Sequence, residues 1–188
     1  NLGEQIAEDN RVLGVIRPCT EIIGDLTRTG KVGILATEGT VNSNAYVIEA
    51  EKFTPQTKIY QQACPMWVPL IESNKHDTEA GKKFIKEDVE NLLEKDTDID
   101  TIILGCTHYP IVKYYIESIV PSNVKIVAQG EIVAERLEDY LIRHPKIEER
   151  CTKTGGARYL TTENEEVFDV NANAFTGISV NSEHIKLV

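Results

Sequence analysis

The sequence is informative first for what it lacks. No apolar run in its 188 residues approaches the roughly 20 that a membrane helix needs, and the opening Asn-Leu-Gly-Glu-Gln is not a signal peptide. No Lys/Arg cluster occurs, and 20 Lys+Arg against 30 Asp+Glu leave a formal net charge of −10. Such a chain offers no phosphate-neutralising surface, so nucleic acid and anionic membranes are excluded as expected partners. Walker-type Gly-Lys-Ser/Thr and Gly-x-Gly-x-x-Gly are both missing, so no nucleotide cofactor is expected. Cys-x-x-Cys and His-Glu-x-x-His are missing too, and the expected metal content is none. The four cysteines, Cys19, Cys64, Cys106 and Cys151, are scattered, which in a cytoplasmic chain reads as free thiols rather than a disulfide framework. There is no initiator Met, and residues 1–10 read as the polar end of a helix already in progress, so the expectation is a piece of a longer protein.

With 41% hydrophobic and 27% charged residues, the composition is that of an ordinary globular chain able to form one domain or two small lobes. Short β-branched runs alternate with longer amphipathic stretches, which is the α/β pattern of parallel strands joined by crossover helices. The expected strands are Val12–Ile16, Lys31–Thr37, Lys58–Ala63, Thr101–Gly105, Val124–Ala128 and Ala157–Thr161. The clearest helix is Thr78–Lys95, with Ile85, Val89, Leu92 and Leu93 on one face and a Glu79–Lys83 pair on the other. Another spans Glu131–Arg143, striped by Val133, Leu137, Tyr140 and Leu141 and stopped by His144-Pro145. A weaker one covers Thr162–Ala174. Residues 71–100 carry ten acidic and five basic side chains, half the net charge, and read as a solvated outer face.

Three strand ends carry chemistry. Thr101-Ile-Ile-Leu-Gly-Cys-Thr-His-Tyr-Pro110 runs an apolar strand into Gly105, suited to a tight turn, then a thiol, a hydroxyl and an imidazole. Pro110 stands where the first residue of the next helix belongs. A helix N-terminus there would hold a carboxylate and favour thiolate at Cys106, with His108 two residues away. The second, Gly33 to Tyr46, places Thr37, Thr40 and Ser43 at a strand-to-helix turn, where hydroxyls cap the helix or bind an anion; by itself, capping is the simpler reading. The third, Ala63-Cys-Pro-Met-Trp-Val-Pro-Leu-Ile-Glu72, ends a strand in a Cys-Pro turn and delivers Glu72 on a short apolar segment. Spacing alone makes Glu72 a surface charge and Cys64 a packing residue. Cys19, Cys151, His76, His144 and His184 stand in polar or terminal surroundings and are assigned no chemistry.

Together, and in this order, Ala36 to Tyr46, Ala63 to Glu72 and Gly105 to Pro110 resemble the signatures of bacterial glutamate racemase, in the aspartate/glutamate racemase family. The resemblance implies two pseudo-symmetric α/β lobes with the active site between them. It divides this sequence into 17–125 as the second lobe, and 1–16 with 126–188 as the remainder of an incomplete first lobe. It implies a cofactor-independent cytoplasmic enzyme with glutamate as its small-molecule substrate, supplying D-glutamate for peptidoglycan, and is compatible with a homodimer. In that family two cysteines face each other across the substrate α-carbon, one removing the proton as thiolate and the other returning one as thiol. Cys106 matches the second cysteine, and Thr107 and His108 match residues that bind substrate and assist it. Thr37 and Thr40 match hydroxyls around the substrate, and Glu72 matches an acid implicated in supporting the histidine.

The departures are equally specific. The family's Asp-Ser-Gly strand end, Pro-Tyr-Gly loop and Ala-Cys-Asn-Thr segment, which holds the first cysteine, do not occur in this sequence. Cys19 has the wrong place and neighbours to substitute for it, and Ala128-Gln129-Gly130 differs from an Asp-containing turn often found there. The expectation is therefore one base of two in this chain. The competing readings are a non-catalytic binding or interaction module derived from a racemase, and a related aspartate or hydantoin racemase.

Overall fold

A computed structural model describes residues 13–187 and divides the chain into two compact units, one ending at Asp139 and one running from Tyr140. The first unit is built on four parallel strands in the order β2-β1-β3-β4: β1 (Lys31–Ala36), β2 (Lys58–Ala63), β3 (Thr101–Leu104) and β4 (Lys125–Ala128). Ala36 pairs with Ala63, Leu35 with Leu104, and Leu104 with Ala128, so all four strands end at one edge. Val32, Ile34, Leu35 and Ala36 of β1 and Ile102, Ile103 and Leu104 of β3 are fully buried, as expected of parallel strands covered on both faces.

The connections explain the order. Helices α2 (Glu38–Asn42) and α3 (Ala45–Phe53) lead from β1 outward to β2. From β2, α4 (Trp67–Glu72) and α5 (Glu79–Leu93) bring the chain back to the far side of β1 as β3. A 3₁₀ turn (Tyr109–Val112) and α6 (Lys113–Ile119) then lead to β4 and α7 (Gln129–Arg143). Strand order therefore reverses between β1 and β3. In an open α/β sheet, ligands bind in the crevice at the carboxyl ends of the strands beside such a reversal.

Four of the expected strands in this unit agree with the structure to within a residue, and α5 follows the Ile85–Val89–Leu92 stripe, starting at Thr78, whose hydroxyl accepts the Gly81 N–H at 3.1 Å. Val12–Ile16 is different: Val12 lies outside the described residues, as do residues 1–10, whereas Leu13–Val15 form no strand and Ile16 opens α1 (Ile16–Leu26). An apolar run this short fits strand and helix alike. What decides is the spacing beyond it, which buries Cys19, Thr20 and Ile23 on one helical face, with Pro18 in the first turn where no N–H is needed. Cys19 consequently belongs to the core with Ile23, Ile34 and Tyr46, not to polar surroundings. The acidic stretch is not uniformly solvated either: Asp88 is half-buried and Asp100 only 4% exposed. In α7 it is Ile132 that is buried, while Leu137 of the expected stripe is exposed.

The second unit contains α8 (Pro145–Glu148), β5 (Tyr159–Thr161), α9 (Glu165–Thr176) and β6 (Ser182–His184), with β5 and β6 parallel. The stop at His144-Pro145 holds. Strand β5 starts two residues later than expected, and α9 begins after Asn164, whose side chain accepts the Val167 N–H. Side chains of α9 secure the return strand: Asp169 accepts from the Ser182 N–H at 2.9 Å and Glu165 from the His184 N–H at 2.7 Å. Among the described residues, no helix is long and apolar enough to cross a membrane.

Candidate active site

The three signal segments leave adjacent strands at the same sheet edge. Thr37 follows β1, Cys64 follows β2 and Gly105-Cys106 follows β3, and Gln129 continues β4 into α7. Hydrogen bonding reaches past the strands themselves: the Cys64 N–H donates to the Ala36 carbonyl at 2.9 Å and the Gly105 N–H to the Leu35 carbonyl at 2.8 Å. The turns that carry the candidate groups are thus pinned to the sheet.

Gly105 has no positive φ, so the sharp turn does not require glycine. Space does. A β-carbon on Gly105 would lie 3.1 Å from both the Tyr46 hydroxyl and the Ala36 Cβ, and 3.2 Å from the Leu35 carbonyl oxygen. Beyond Cys106 the chain makes the 3₁₀ turn, with Pro110 its second residue, and α6 begins only at Lys113. The thiol therefore does not stand over an α-helix N-terminus as the sequence led us to expect, because His108 to Val112 tighten into the 3₁₀ turn first.

Cys106 is partly exposed, with Sγ 3.9 Å from His108 Nδ1. His108 Nε2 lies 3.1 Å from Glu72 Oε1, at the last residue of α4. With Nε2 protonated and donating to Glu72, Nδ1 is left with a lone pair facing the thiol. Thiol, imidazole and carboxylate then form a line in which the histidine can accept the thiol proton and the carboxylate orients and stabilises the resulting cation. Glu72 is 54% exposed, so this pair contributes little to folding stability. Facing His108, Glu72 is no stray surface charge, although sequence spacing alone favoured that reading.

Thr37 caps α2, its hydroxyl accepting the Thr40 N–H at 3.4 Å, and the two hydroxyls lie 3.0 Å apart. Both residues are half-buried beside the β3 turn, and Thr107 is exposed between Cys106 and His108. Capping and ligand contact are compatible here, since whichever hydroxyl donates to the other, the pair keeps one O–H and two lone pairs available.

The other cysteines differ in kind. Cys64 is buried, and burial, reinforced by the nearby Asp88 carboxylate, pushes its thiol well above the usual range. Burial likewise pushes Cys19 up to about 11, with a hydrogen bond to Gln129 acting the other way. Neither is a thiolate at neutral pH, and Cys151 lies in the second unit. Among the described residues, no group of three or more His, Cys, Asp or Glu could hold a metal ion.

Residues not singled out as functional in the sequence support the line from behind. Tyr109 is buried and donates its hydroxyl to the Cys64 carbonyl at 3.1 Å; Trp67, at the start of α4, packs on it with ring centroids 4.6 Å apart. Gln129 donates to the buried Tyr46 hydroxyl beneath Gly105. Asp88 accepts the Trp67 indole N–H, and its place three residues after Ile85 and one before Val89, on the buried stripe of α5, is the signal that could find it.

Comparison with known proteins identifies the family. The family model for Asp/Glu/Hydantoin racemase matches residues 12–137. A glutamate racemase of Streptococcus suis is 33% identical over 186 residues, covering 98% of this chain and 69% of its own. One from Sulfurihydrogenibium is 34% identical over 176 residues, covering 94% and 64% respectively. A solved glutamate racemase isoform from Bacillus anthracis has a TM-score of 0.86 at 29% identity, covering 99% of this chain and 68% of that one. The Francisella tularensis glutamate racemase, solved in complex with D-glutamate, gives 0.78 at 26%, covering 100% and 67%. This chain thus spans about two thirds of the length of these relatives, with the Cys106–His108–Glu72 line inside the matched region. On fold, motif order and similarity, the chain belongs to the Asp/Glu/hydantoin racemase family, among its glutamate racemases.

Proposed function

We propose that this sequence supplies one of the two proton-transfer groups of a cofactor-independent interconversion of L- and D-glutamate, with Cys106 as that group. The observation that carries the reading is the line from Cys106 through His108 to Glu72 at the carboxyl edge of β3. His108 accepts the thiol proton, and the thiolate removes the substrate α-proton; running in reverse, the thiol returns a proton. Thr37, Thr40 and Thr107 bind substrate polar groups. An amino-acid α-proton is far less acidic than a thiol, so donors fixed at this edge must stabilise the carbanion as it forms. Cys19 and Cys64 are buried with their thiols pushed up in pKa, so neither is the facing thiol, and the Ala-Cys-Asn-Thr segment that holds it in the family does not occur in this sequence. The same reading assigns 17–125 to one lobe and 1–16 with 126–188 to the other, and the product to peptidoglycan synthesis in the cytoplasm.

The 188-residue chain alone is expected to form no D-glutamate from L-glutamate. In a polypeptide carrying this sequence together with an Ala-Cys-Asn-Thr segment, Cys106→Ser is expected to cut turnover by about 10²–10⁴-fold while glutamate binding is retained. Formation of D-glutamate by the 188-residue chain that survives Cys106→Ser would overturn the assignment. Supplying aspartate in place of glutamate is expected to give no α-proton exchange.

A further inference from the structure

The line through Cys106 depends on two separate pieces of chain keeping one geometry. Glu72 is at the end of α4, whereas Cys106 and His108 are in the turn after β3. Trp67, the only tryptophan of the chain, opens α4 and is fully buried, and Tyr109 follows His108 directly and is buried against it. The Trp67 indole N–H donates to Asp88 Oδ2 at 2.8 Å, and Gln62 Nε2 donates to Asp88 Oδ1 at 3.3 Å. The Cys64 thiol donates to the Gln62 carbonyl at 3.6 Å, and the Cys64 carbonyl accepts the Tyr109 hydroxyl. A closed ring results: Asp88 to Trp67, Trp67 to Tyr109, Tyr109 to Cys64, Cys64 to Gln62, and Gln62 back to Asp88.

We propose that Asp88 is a positioning residue for the Cys106–His108–Glu72 line, acting through Trp67 and Cys64 to lock α4 and the Cys106–Tyr109 turn into a single unit. The inference rests on the proposed role of that line. A half-buried carboxylate in the apolar stripe of α5 is costly without partners, and its donors come from α4 and from β2, whose end at Cys64 holds the Tyr109 hydroxyl. Burial raises the Asp88 carboxyl above its ordinary range despite the Trp67 and Gln62 hydrogen bonds, and the other titratable groups facing it are Cys64, Tyr109 and its neighbour Glu87. Without the ring, Trp67 and Tyr109 would still pack, but the rotation of α4 that sets Glu72 against His108 would lose its polar anchor.

The test needs no racemase turnover. The rate of Cys106 alkylation by iodoacetamide at pH 7, followed on the Cys106 peptide by mass spectrometry, is measured in a cycle of Glu72→Gln and Asp88→Leu on the full chain. Glu72→Gln is expected to slow the wild-type chain by about threefold or more and to change Asp88→Leu by less than about 1.5-fold, the non-additivity of groups acting as one unit. Asp88→Asn, which keeps an acceptor for the indole, is expected to restore the wild-type response to Glu72→Gln. Trp67→Phe keeps the ring stack but removes the donor; it is expected to behave as Asp88→Leu does and decides the matter should the leucine variant not fold. If Glu72→Gln slows wild type and both variants by the same factor, Asp88 is only a structural residue and the inference is overturned. If Glu72→Gln leaves the wild-type rate unchanged, the line itself fails, and the proposed role of Glu72 with it.

Discussion

The two ends of the four-stranded sheet show opposite uses of polar groups. At the amino end, charges are matched and buried or clamped. The Lys31 ammonium lies 3.0 Å from Asp96 and 2.7 Å from Asp98, and Tyr60 donates to Asp96. Asp100, 4% exposed, accepts from the Thr27 hydroxyl at 2.5 Å and from the Arg28 and Thr29 N–H groups at 2.8 and 3.0 Å. At the carboxyl end the same strands deliver a partly exposed thiol, a histidine reached at 3.9 Å and a half-exposed carboxylate. One edge is satisfied and closes the fold; the other leaves its groups open to a ligand. A parallel sheet separates stability from chemistry in this way because every strand begins at one edge and ends at the other.

The separation can be broken from either side. The largest expected effect is at the carboxyl edge: Cys106→Ser removes nearly all catalysis in a polypeptide with both thiols, yet shifts unfolding free energy by no more than about 0.5 kcal/mol, as urea titration would show. Asp100→Ala should do the reverse. It leaves one hydroxyl and two backbone N–H groups without their acceptor, costing about 3 kcal/mol of stability, while Cys106 alkylation in the folded chain is unchanged. Gly105→Ala crosses the divide, forcing a methyl against Tyr46 and Ala36. It is expected to cost about 1–3 kcal/mol and to alter the Cys106 alkylation rate as well.

Acid is a milder probe of the amino edge. Burial pushes the Asp100 carboxyl up, but hydrogen bonds from Thr27, Arg28 and Thr29 outweigh it, so its folded value lies below the ordinary one. Asp96 is held at about 2 by the Tyr60 hydroxyl, the Asp98 N–H and Lys31. A depressed carboxyl contributes its full stability above the unfolded value of about 3.9 and loses it as pH falls toward the folded value. The urea midpoint is therefore expected to drop as pH falls from about 4 toward about 2, and to drop less in Asp100→Asn. Lys31→Met should have the smallest effect, a slight lowering of the midpoint that shrinks with added salt.

How legible each end was in the sequence follows from the same division. The strand ends at Thr37, Cys64 and Cys106 could be read because β-branched runs stop abruptly at residues of distinct chemistry, and the α5 stripe could be read from its period. The Glu72–His108 contact could not, because it joins residues 36 apart through the tertiary path of α4. Spacing had made Glu72 a surface charge, and only the family resemblance raised it. The helix expected directly after Cys106 is a 3₁₀ turn, since a proline marks a helical start without distinguishing a 3₁₀ turn from an α-helix. At Gly105 it is the neighbours, not the torsion angles, that exclude a side chain. Asp88 and Asp100 were lost in the acidic count of residues 71–100, because net charge records how many carboxylates are present and not which ones are inside.

The most direct test of the account is the rate of solvent deuterium entry at the α-carbon of glutamate, measured by proton NMR with wild type and Cys106→Ser in a polypeptide holding this sequence and the facing thiol. With L- and D-glutamate followed separately, rapid exchange of both is expected in wild type, and in Cys106→Ser a loss of at least about 100-fold for the enantiomer whose α-proton faces Cys106, with glutamate still bound. Unchanged exchange of both enantiomers in Cys106→Ser would contradict Cys106 as a proton-transfer group.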